Sequence, residues 1–428
     1  MMKYILFSRR SLFVWLISLE LTYILAVVYL VHSNIGRDDD RRRHQEVVKR
    51  SDQCEKTRTQ TLSSSSNFFY ACAKEIKLYE NMFAVLNHVV IEPSGDCLYQ
   101  NNDTCGFNMK FLSTHCRNRT DLRGMHLKDP ILSWLKALKI TNKISDKPHS
   151  SRGVGFIVAR HDVNNLYHTM TQIYNIVVAK HLLQITYNDS VVIFVDVHNE
   201  KTMLQELWNS LFKDAIHTRK PMPRLYFDTL VMINSGYEGH LSHLRLPNLP
   251  FISEFTEFFT RKFEICRRRE LNCLNINILI ILRQDTRNEN DTLLVTERKF
   301  HNERQMLSQL RKEFPKYNIR GVRLDSFPIR TQFSFISQTD FLIGMHGAGL
   351  TYTLFLPEHA GVLELFPSYR DTGNTHYRTI SKWRNLFYRA WQNFNLKNEF
   401  PNFETRFSAR TIGYYIMEYI NAKCKTVQ

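Results

Sequence analysis

The sequence predicts an α/β protein of two Rossmann-like halves facing a cleft, and three observations predict it. Short continuous apolar runs, such as residues 191–196 and 276–283, alternate with segments of helical apolar spacing, which calls for parallel strands joined by crossover helices. The alternation comes in two series that meet near residues 267–273, and paired units of this kind bind ligands in the crevice at their strand ends. Third, residues 341–367, FLIGMHGAGLTYTLFLPEHAGVLELFP, read as a buried strand, a loop with three glycines in six residues, an apolar helical turn over 350–356 and a second buried strand.

At 428 residues the chain exceeds one compact core, because domains average about 100–200 residues. A hydrophobic share of 43% and 29 Phe supply ample core material, so the chain is not disordered. Lys and Arg number 57 against 41 Asp and Glu, a formal charge of +16. That balance suits an anionic membrane surface or a phosphate-bearing substrate. With no long basic tract and no aromatic-basic RNA motif, nucleic acid is not expected as a partner.

Residues 1–10 read as a short cytoplasmic tail. Residues 11–32 form an apolar run interrupted by Glu20, about the length needed to span a bilayer. No small-residue cleavage site follows, so an uncleaved signal anchor is expected. Basic residues flank the run on both sides and do not orient it. Four sequons, at Asn102, Asn118, Asn188 and Asn290, all lie beyond it and place the body in the lumen. Eight cysteines without zinc-ligand spacing point to disulfides in an oxidising compartment.

Residues 33–67, with DDDRRR and SSSS runs, are a stem. From residue 68 the globular part begins with an expected cysteine-bearing helix, then a strand over 83–91 and a turn-rich segment near 97–116. Strands follow at 153–160, 191–196 and 226–233, with helices at 166–183, 201–212 and 253–268, the last capped by Ser253. These make a first, acceptor-binding domain over 68–270. The second series places strands at 276–283, 319–324, 341–344 and 361–365 and helices at 302–314 and 329–338, a nucleotide-sugar domain over 271–400. Residues 401–428 contain a closing helix, 408–424, expected to pack back on the first half.

The glycine loop sits where a strand feeds a helix, so its free N–H groups suit an anion, above all a phosphate. It is neither G-x-G-x-x-G nor a P-loop, and a plain tight turn is the competing reading. His346 has little core to enter from such a loop and can donate to a phosphate oxygen. Asp196 and His198 form a D-x-H at a strand end, too few ligands for a metal site. No H-E-x-x-H or G-x-S-x-G occurs, which removes support for a hydrolase.

The run GMHGAGLT, then LFLP and VLELFP, resembles the signature of glycosyltransferase family 61. ARHDVNNLYHTMTQIYN (159–175), FVDVH (194–198), GYEGHL (236–241), ILRQDTRN and HNERQML (281–307) fall in that family's order. The resemblance implies a type II membrane enzyme of the Golgi or endoplasmic reticulum, with a lumenal catalytic domain of GT-B architecture. It implies transfer from a UDP-sugar to a glycan or glycoprotein acceptor with inversion, without a cofactor or essential metal. NLYHTMT, the V-D-x-H strand end and the G-Y-E turn look most like the β-1,2-xylosyltransferases of the N-glycan core, which use UDP-xylose. Protein O-linked N-acetylglucosaminyltransferases, which use UDP-GlcNAc, are the alternative, and a non-catalytic carbohydrate-binding relative is a third reading.

Inverting transfer needs a base for the acceptor hydroxyl and positive groups for the departing diphosphate. The resemblance puts arginines at Arg283 and Arg287, where a Rossmann-like half binds its ligand, and Gly347, Ala348 and Gly349 offer N–H groups to the same diphosphate with His346 beside them. Glu364, one strand later, is read as a ribose-binding acid or, equally, as a charge-paired one. The resemblance makes His168 the base, an imidazole that titrates near neutrality, with Glu238 and Asp162 in reserve.

Overall fold

The computed structural model describes residues 68–424 apart from 73–74, 93–111, 116–130, 142–151, 187–188, 197, 199–201, 203, 219–222, 267–269 and 288–292. These belong to one compact unit. The tail, the apolar run 11–32, the stem and all four sequon asparagines, Asn102, Asn118, Asn188 and Asn290, lie outside the described residues. Among the described residues no helix is long and apolar enough to cross a membrane.

The first half is organised on a nine-stranded mixed sheet. Its parallel strands stand in the spatial order Asp214–His217, Ser190–Phe194, Val154–Val158, Leu225–Ile233. Chain direction across the sheet therefore reverses between Val154–Val158 and Leu225–Ile233. Beyond Leu225–Ile233 the sheet continues through antiparallel Phe83–Ile91, Ile76–Tyr79 and Phe68–Ala71. The helix expected from residue 68 is thus corrected to two strands. Period-two burial explains it: Ile76 and Leu78 enter the core on one face of the sheet, and Tyr79 and Phe83 stack at 5.2 Å on the other.

The second half is a five-stranded, wholly parallel sheet ordered Asn318–Val322, Asn277–Ile281, Phe341–Met345, Gly361–Phe366, Phe387–Gln392. Phe341–Met345 and Gly361–Phe366 are buried throughout, as strands covered on both faces must be. The sequence reading did not foresee Phe387–Gln392 or the helix His376–Trp383 before it. FYRAWQ mixes aromatic with polar residues because it is a half-exposed edge strand.

Both halves contribute to one apolar cluster. Helix Ile252–Lys262 and its C-cap, Phe263, set Phe259 and Phe263 against Phe333, with ring centroids 5.5 and 5.0 Å apart, and Phe259 against Phe355 at 5.0 Å. Its start differs from expectation: the cap is Phe251, at a left-handed φ of 53°, and no side chain caps it. Ser253 therefore falls inside the first turn.

The closing helix, Ala409–Cys424, corrects the expectation that it turns back on the first half. Ile412, Ile416 and Tyr419 join the core of the second, with Tyr419 stacked on Phe341 at 4.7 Å. Gly361 makes room for it, since a Cβ there would stand 2.8 Å from the Tyr419 ring. A disulfide, Cys273–Cys424, ties the helix to the start of this half across 151 residues, and Cys72 and Cys266 are disulfide-bonded as well. A cross-link over so long a loop restricts the unfolded chain strongly. Replacing Cys273 and Cys424 together by alanine is expected to lower unfolding stability by about 2–5 kcal/mol, read as a drop in denaturation midpoint.

Candidate active site

Ligands of open parallel sheets gather where strand order reverses, at the carboxyl ends of the strands. In the second half that point lies between Asn277–Ile281 and Phe341–Met345. The loop after the first strand carries Arg283, and the loop after the second is the glycine loop. A Cβ on Gly347 would come 3.0 Å from Arg283 Nη1 and 3.7 Å from Arg298 Nη2. A side chain at 347 would crowd the Arg283 guanidinium, which a glycine leaves in place.

Arg283 Nη1 and Arg298 Nε are buried with no hydrogen-bond partner among the described residues. Burial first, then the neighbouring Arg298, pull the Arg283 pKa down to about 10. Arg298 is lowered too, by burial and then by Arg370. Glu297 does not neutralise the pair, because it lies 3.9 Å from Arg298 Nη1 while accepting from Arg370 at 2.8 Å. Two half-buried cations that share one distant carboxylate make a seat for an anion. Beside Arg283 opens a cavity of about 610 Å³, lined also by Asp285, Lys299, His301, Arg323 and Arg406.

Sequence reasoning missed Arg298, which sits in a turn linking two short strands and carries no spacing signal of its own. The Arg287 side chain lies outside the described residues, and only its backbone, paired with Leu293, is placed. The glycine loop leads into a 3₁₀ helix, Ala348–Phe355, capped by Gly347, and not into an α-helix. Its first N–H groups, on Ala348 and Gly349, still lack intrahelical partners and lie at the partly exposed lip of the loop.

Glu364 departs from the ribose-binding role. It is fully buried, and both oxygens are taken: Oε1 lies 2.5 Å from His346 Nδ1, and Oε2 accepts from Tyr388 Oη at 2.6 Å. It pairs with Gly344 in register, inside the sheet and not at the strand end where a ribose would pass. Its partner does the outward work, with the His346 ring fixed flat against Phe366 at 5.0 Å.

The first half repeats the arrangement. After Val154–Val158 the chain carries Arg160, His161 and Asp162 into helix Leu166–Leu182, capped by Asn165, whose side chain accepts from the Tyr167 and His168 N–H groups. After Leu225–Ile233 comes the 3₁₀ turn Gly236–Glu238. Added Cβ atoms would fall 1.9 Å from Thr171 Oγ1 at Gly236 and 2.0 Å from Asn175 Oδ1 at Gly239. Both glycines let the turn press on the helix. The contact brings Tyr237 Oη 3.2 Å from His168 Nε2, with the His161 ring 4.9 Å from His168 and 5.5 Å from Tyr237.

Burial and then His161 hold the His168 pKa below its usual value, against the pull of Asp162. Asp162 is exposed and accepts from the Asn164 N–H at 3.1 Å. Glu238 shares the turn with Tyr237, but it is Tyr237 that is set against the His168 ring. Asp196 is engaged elsewhere, clamping buried Arg160 through Nη2 at 2.8 Å and Nε at 3.1 Å.

Helix His376–Trp383, from the second half, joins the two centres. The His376 ring stands 4.7 Å from Tyr167, and Tyr377 stands 6.3 Å from Tyr167 and 5.6 Å from His346. Trp383 Nε1 donates to Leu246 O at 3.0 Å and fixes the helix to the first half. Burial, then His346 and His168, drive the His376 pKa down to about 4. An imidazole that stays neutral when folded but titrates near about 6.5 when unfolded favours the unfolded chain in acid. Stability is therefore expected to be complete above that value and to fall as the pH drops toward about 4. Replacing His376 by Gln flattens that decline in denaturation midpoints measured across the range.

The Glycosyltransferase 61 family profile matches residues 156–363, from the strand before His168 to the residue before Glu364. Residues 156–363 thus carry the match to the glycosyltransferase 61 family. A beta-1,2-xylosyltransferase of Oryza sativa subsp. japonica is 25% identical over 264 residues, which cover 55% of this chain and 48% of that one. The EGF domain-specific O-linked N-acetylglucosamine transferase of Rattus norvegicus is 25% identical over 291 residues, 62% of this chain and 51% of that one. The protein O-linked-mannose beta-1,4-N-acetylglucosaminyltransferase 2 of Xenopus tropicalis is 38% identical over 106 residues, 24% of this chain and 18% of that one. The chain thus spans about half the length, or less, of the relatives it matches. Arg283, Arg298, the glycine loop, His168 and Tyr237 all fall inside the matched span, whereas Glu364, His376, Tyr377 and Tyr388 fall beyond it.

Proposed function

We propose that this protein transfers a sugar, with inversion, from a UDP-sugar to a glycan acceptor. The observation that carries the reading is the pairing of two reversal points, one rich in half-buried guanidinium and main-chain N–H groups, the other in an imidazole, a phenol and a carboxylate. The first suits a diphosphate leaving group and the second suits an acceptor hydroxyl. Arg283, Arg298, His346 and the N–H groups of Gly347 to Gly349 hold the diphosphate, and the nucleoside lies in the adjoining cavity. His168 takes the acceptor proton, oriented by Tyr237, with Asp162 at the rim. The arrangement is read as GT-B, with positive charge supplied by arginines and not by a metal.

The preferred donor is UDP-xylose, in keeping with the xylosyltransferase name of the rice relative, and the preferred acceptor is the N-glycan core mannose. UDP-GlcNAc on protein O-glycans is the second reading, favoured by the equal identity of the rat transferase. Residues 11–32 are read as a type II anchor in the Golgi or endoplasmic reticulum, and the disulfides fit its oxidising lumen.

The test is UDP release from the lumenal part with a panel of UDP-sugars and glycan acceptors. Transfer of xylose to an N-glycan core, unchanged by EDTA, is expected. Transfer of N-acetylglucosamine alone moves the assignment to the second reading. Strict Mn²⁺ dependence contradicts the arginine account, and UDP binding without transfer to any acceptor leaves a binding protein.

A further inference from the structure

Glu364 is buried completely, yet no Arg or Lys lies within ion-pairing distance of it among the described residues. Its neighbours are His346 Nδ1 at 2.5 Å and the Tyr388 hydroxyl at 2.6 Å. A net charge in such a place is expensive, so the His346–Glu364 pair is held neutral overall. With the Tyr388 hydroxyl donating to Oε2, two placements of the pair's protons achieve this. Either the imidazolium faces the carboxylate, or the neutral imidazole accepts from the carboxylic acid. In both, Nε2 carries a hydrogen. That atom has no protein partner among the described residues, and it belongs to the loop that seats the diphosphate.

We propose that His346 is the general acid of the reaction, delivering its Nε2 proton to the leaving diphosphate, and that Glu364 and Tyr388 are positioning residues that keep that proton in place. The inference rests on the UDP-sugar reading above. As the acceptor oxygen bonds to the anomeric carbon, the bond from that carbon to the diphosphate oxygen breaks and its electron pair goes to the oxygen. The oxygen takes the proton from Nε2, while the acceptor proton passes to His168. The His346–Glu364 pair ends one proton short and His168 one proton richer, and exchange with water restores both.

The groups facing His346 are Glu364 and Tyr388 on the two neighbouring strands, His376 and Tyr377 on the helix above, and Arg283 and Arg298 across Gly347. Arg378 also reaches Tyr388, 5.9 Å from its ring and hydrogen-bonded to it. A His346 that donates a proton is expected to give kcat an alkaline limb, which a His346 that only hydrogen-bonds would not.

The experiment measures UDP affinity and the pH profile of kcat for the unmodified protein, His346→Gln and Tyr388→Phe. Glutamine keeps an N–H donor but has no proton to give. The expected result is UDP affinity within about tenfold of the parent, a kcat lower by about 10²-fold or more, and no alkaline limb. Removing the Tyr388 hydroxyl leaves the carboxylate with one donor fewer, so the pair grips its proton harder and the limb moves to higher pH. A Gln variant within about threefold of the parent kcat, set against the usual general-acid contribution, overturns the inference, as does a Tyr388→Phe limb that stays in place. If the unmodified protein fails to bind UDP, the donor reading falls and this inference with it. If it binds and turns over while the variants behave like the parent, the inference alone is lost.

Discussion

Replacing Arg283 by Ala is expected to weaken UDP binding by about 30- to 150-fold, the equivalent of about 2–3 kcal/mol for charge-assisted hydrogen bonds. The geometry makes the effect large. Arg283 is held half-buried beside a second cation, with its buried Nη1 unpaired and Gly347 set against it. A guanidinium kept there without a ligand is strained electrostatically, as its lowered pKa of about 10 records. An arriving diphosphate relieves that strain. Removing Arg283 should therefore weaken UDP binding and raise the stability of the empty protein, or leave it unchanged. Opposite movements of affinity and melting temperature separate a binding arginine from one that holds the fold. Arg298→Ala should act in the same direction, and the two losses should not add, because each arginine repels the other in the empty site.

His168→Ala is expected to lower kcat by about 10²- to 10⁴-fold while leaving UDP affinity nearly intact. His168 lies at the reversal point of the first half, on the far side of Tyr167 and His376 from the glycine loop. Its loss should fall on the chemical step and spare the grip on the nucleotide. Burial and His161 hold its pKa down, so it is neutral and ready to accept a proton near neutral pH. Tyr237→Phe should cost less, since it removes an orienting hydroxyl 3.2 Å from Nε2 and leaves the imidazole. Normal turnover by His168→Ala would move the role to Glu238.

Much of this arrangement was legible in the residues because buried parallel strands advertise themselves. Phe341–Met345 and Gly361–Phe366 are apolar enough along their length to allow no other reading. Strand order is a tertiary property, so the sequence could place Arg283 and the glycine loop after strands but could not show that those strands are neighbours. Arg298 was invisible for the same reason, brought in by a turn far from both. Glu364 shows a signal that was present and misjudged: a lone acid inside VLELF must be buried with a partner, and the histidine 18 residues earlier was that partner. Hairpin strands near residue 68 were hidden because aromatic and cysteine residues suit helix and strand equally at that length.

The most direct test is a crystal structure of the protein with UDP bound. The account predicts the diphosphate within hydrogen-bonding distance of Arg283, Arg298 and the main chain at His346 to Gly349, at the reversal point of the parallel sheet. A nucleotide seated in the first half, with those guanidinium groups left untouched, would contradict it.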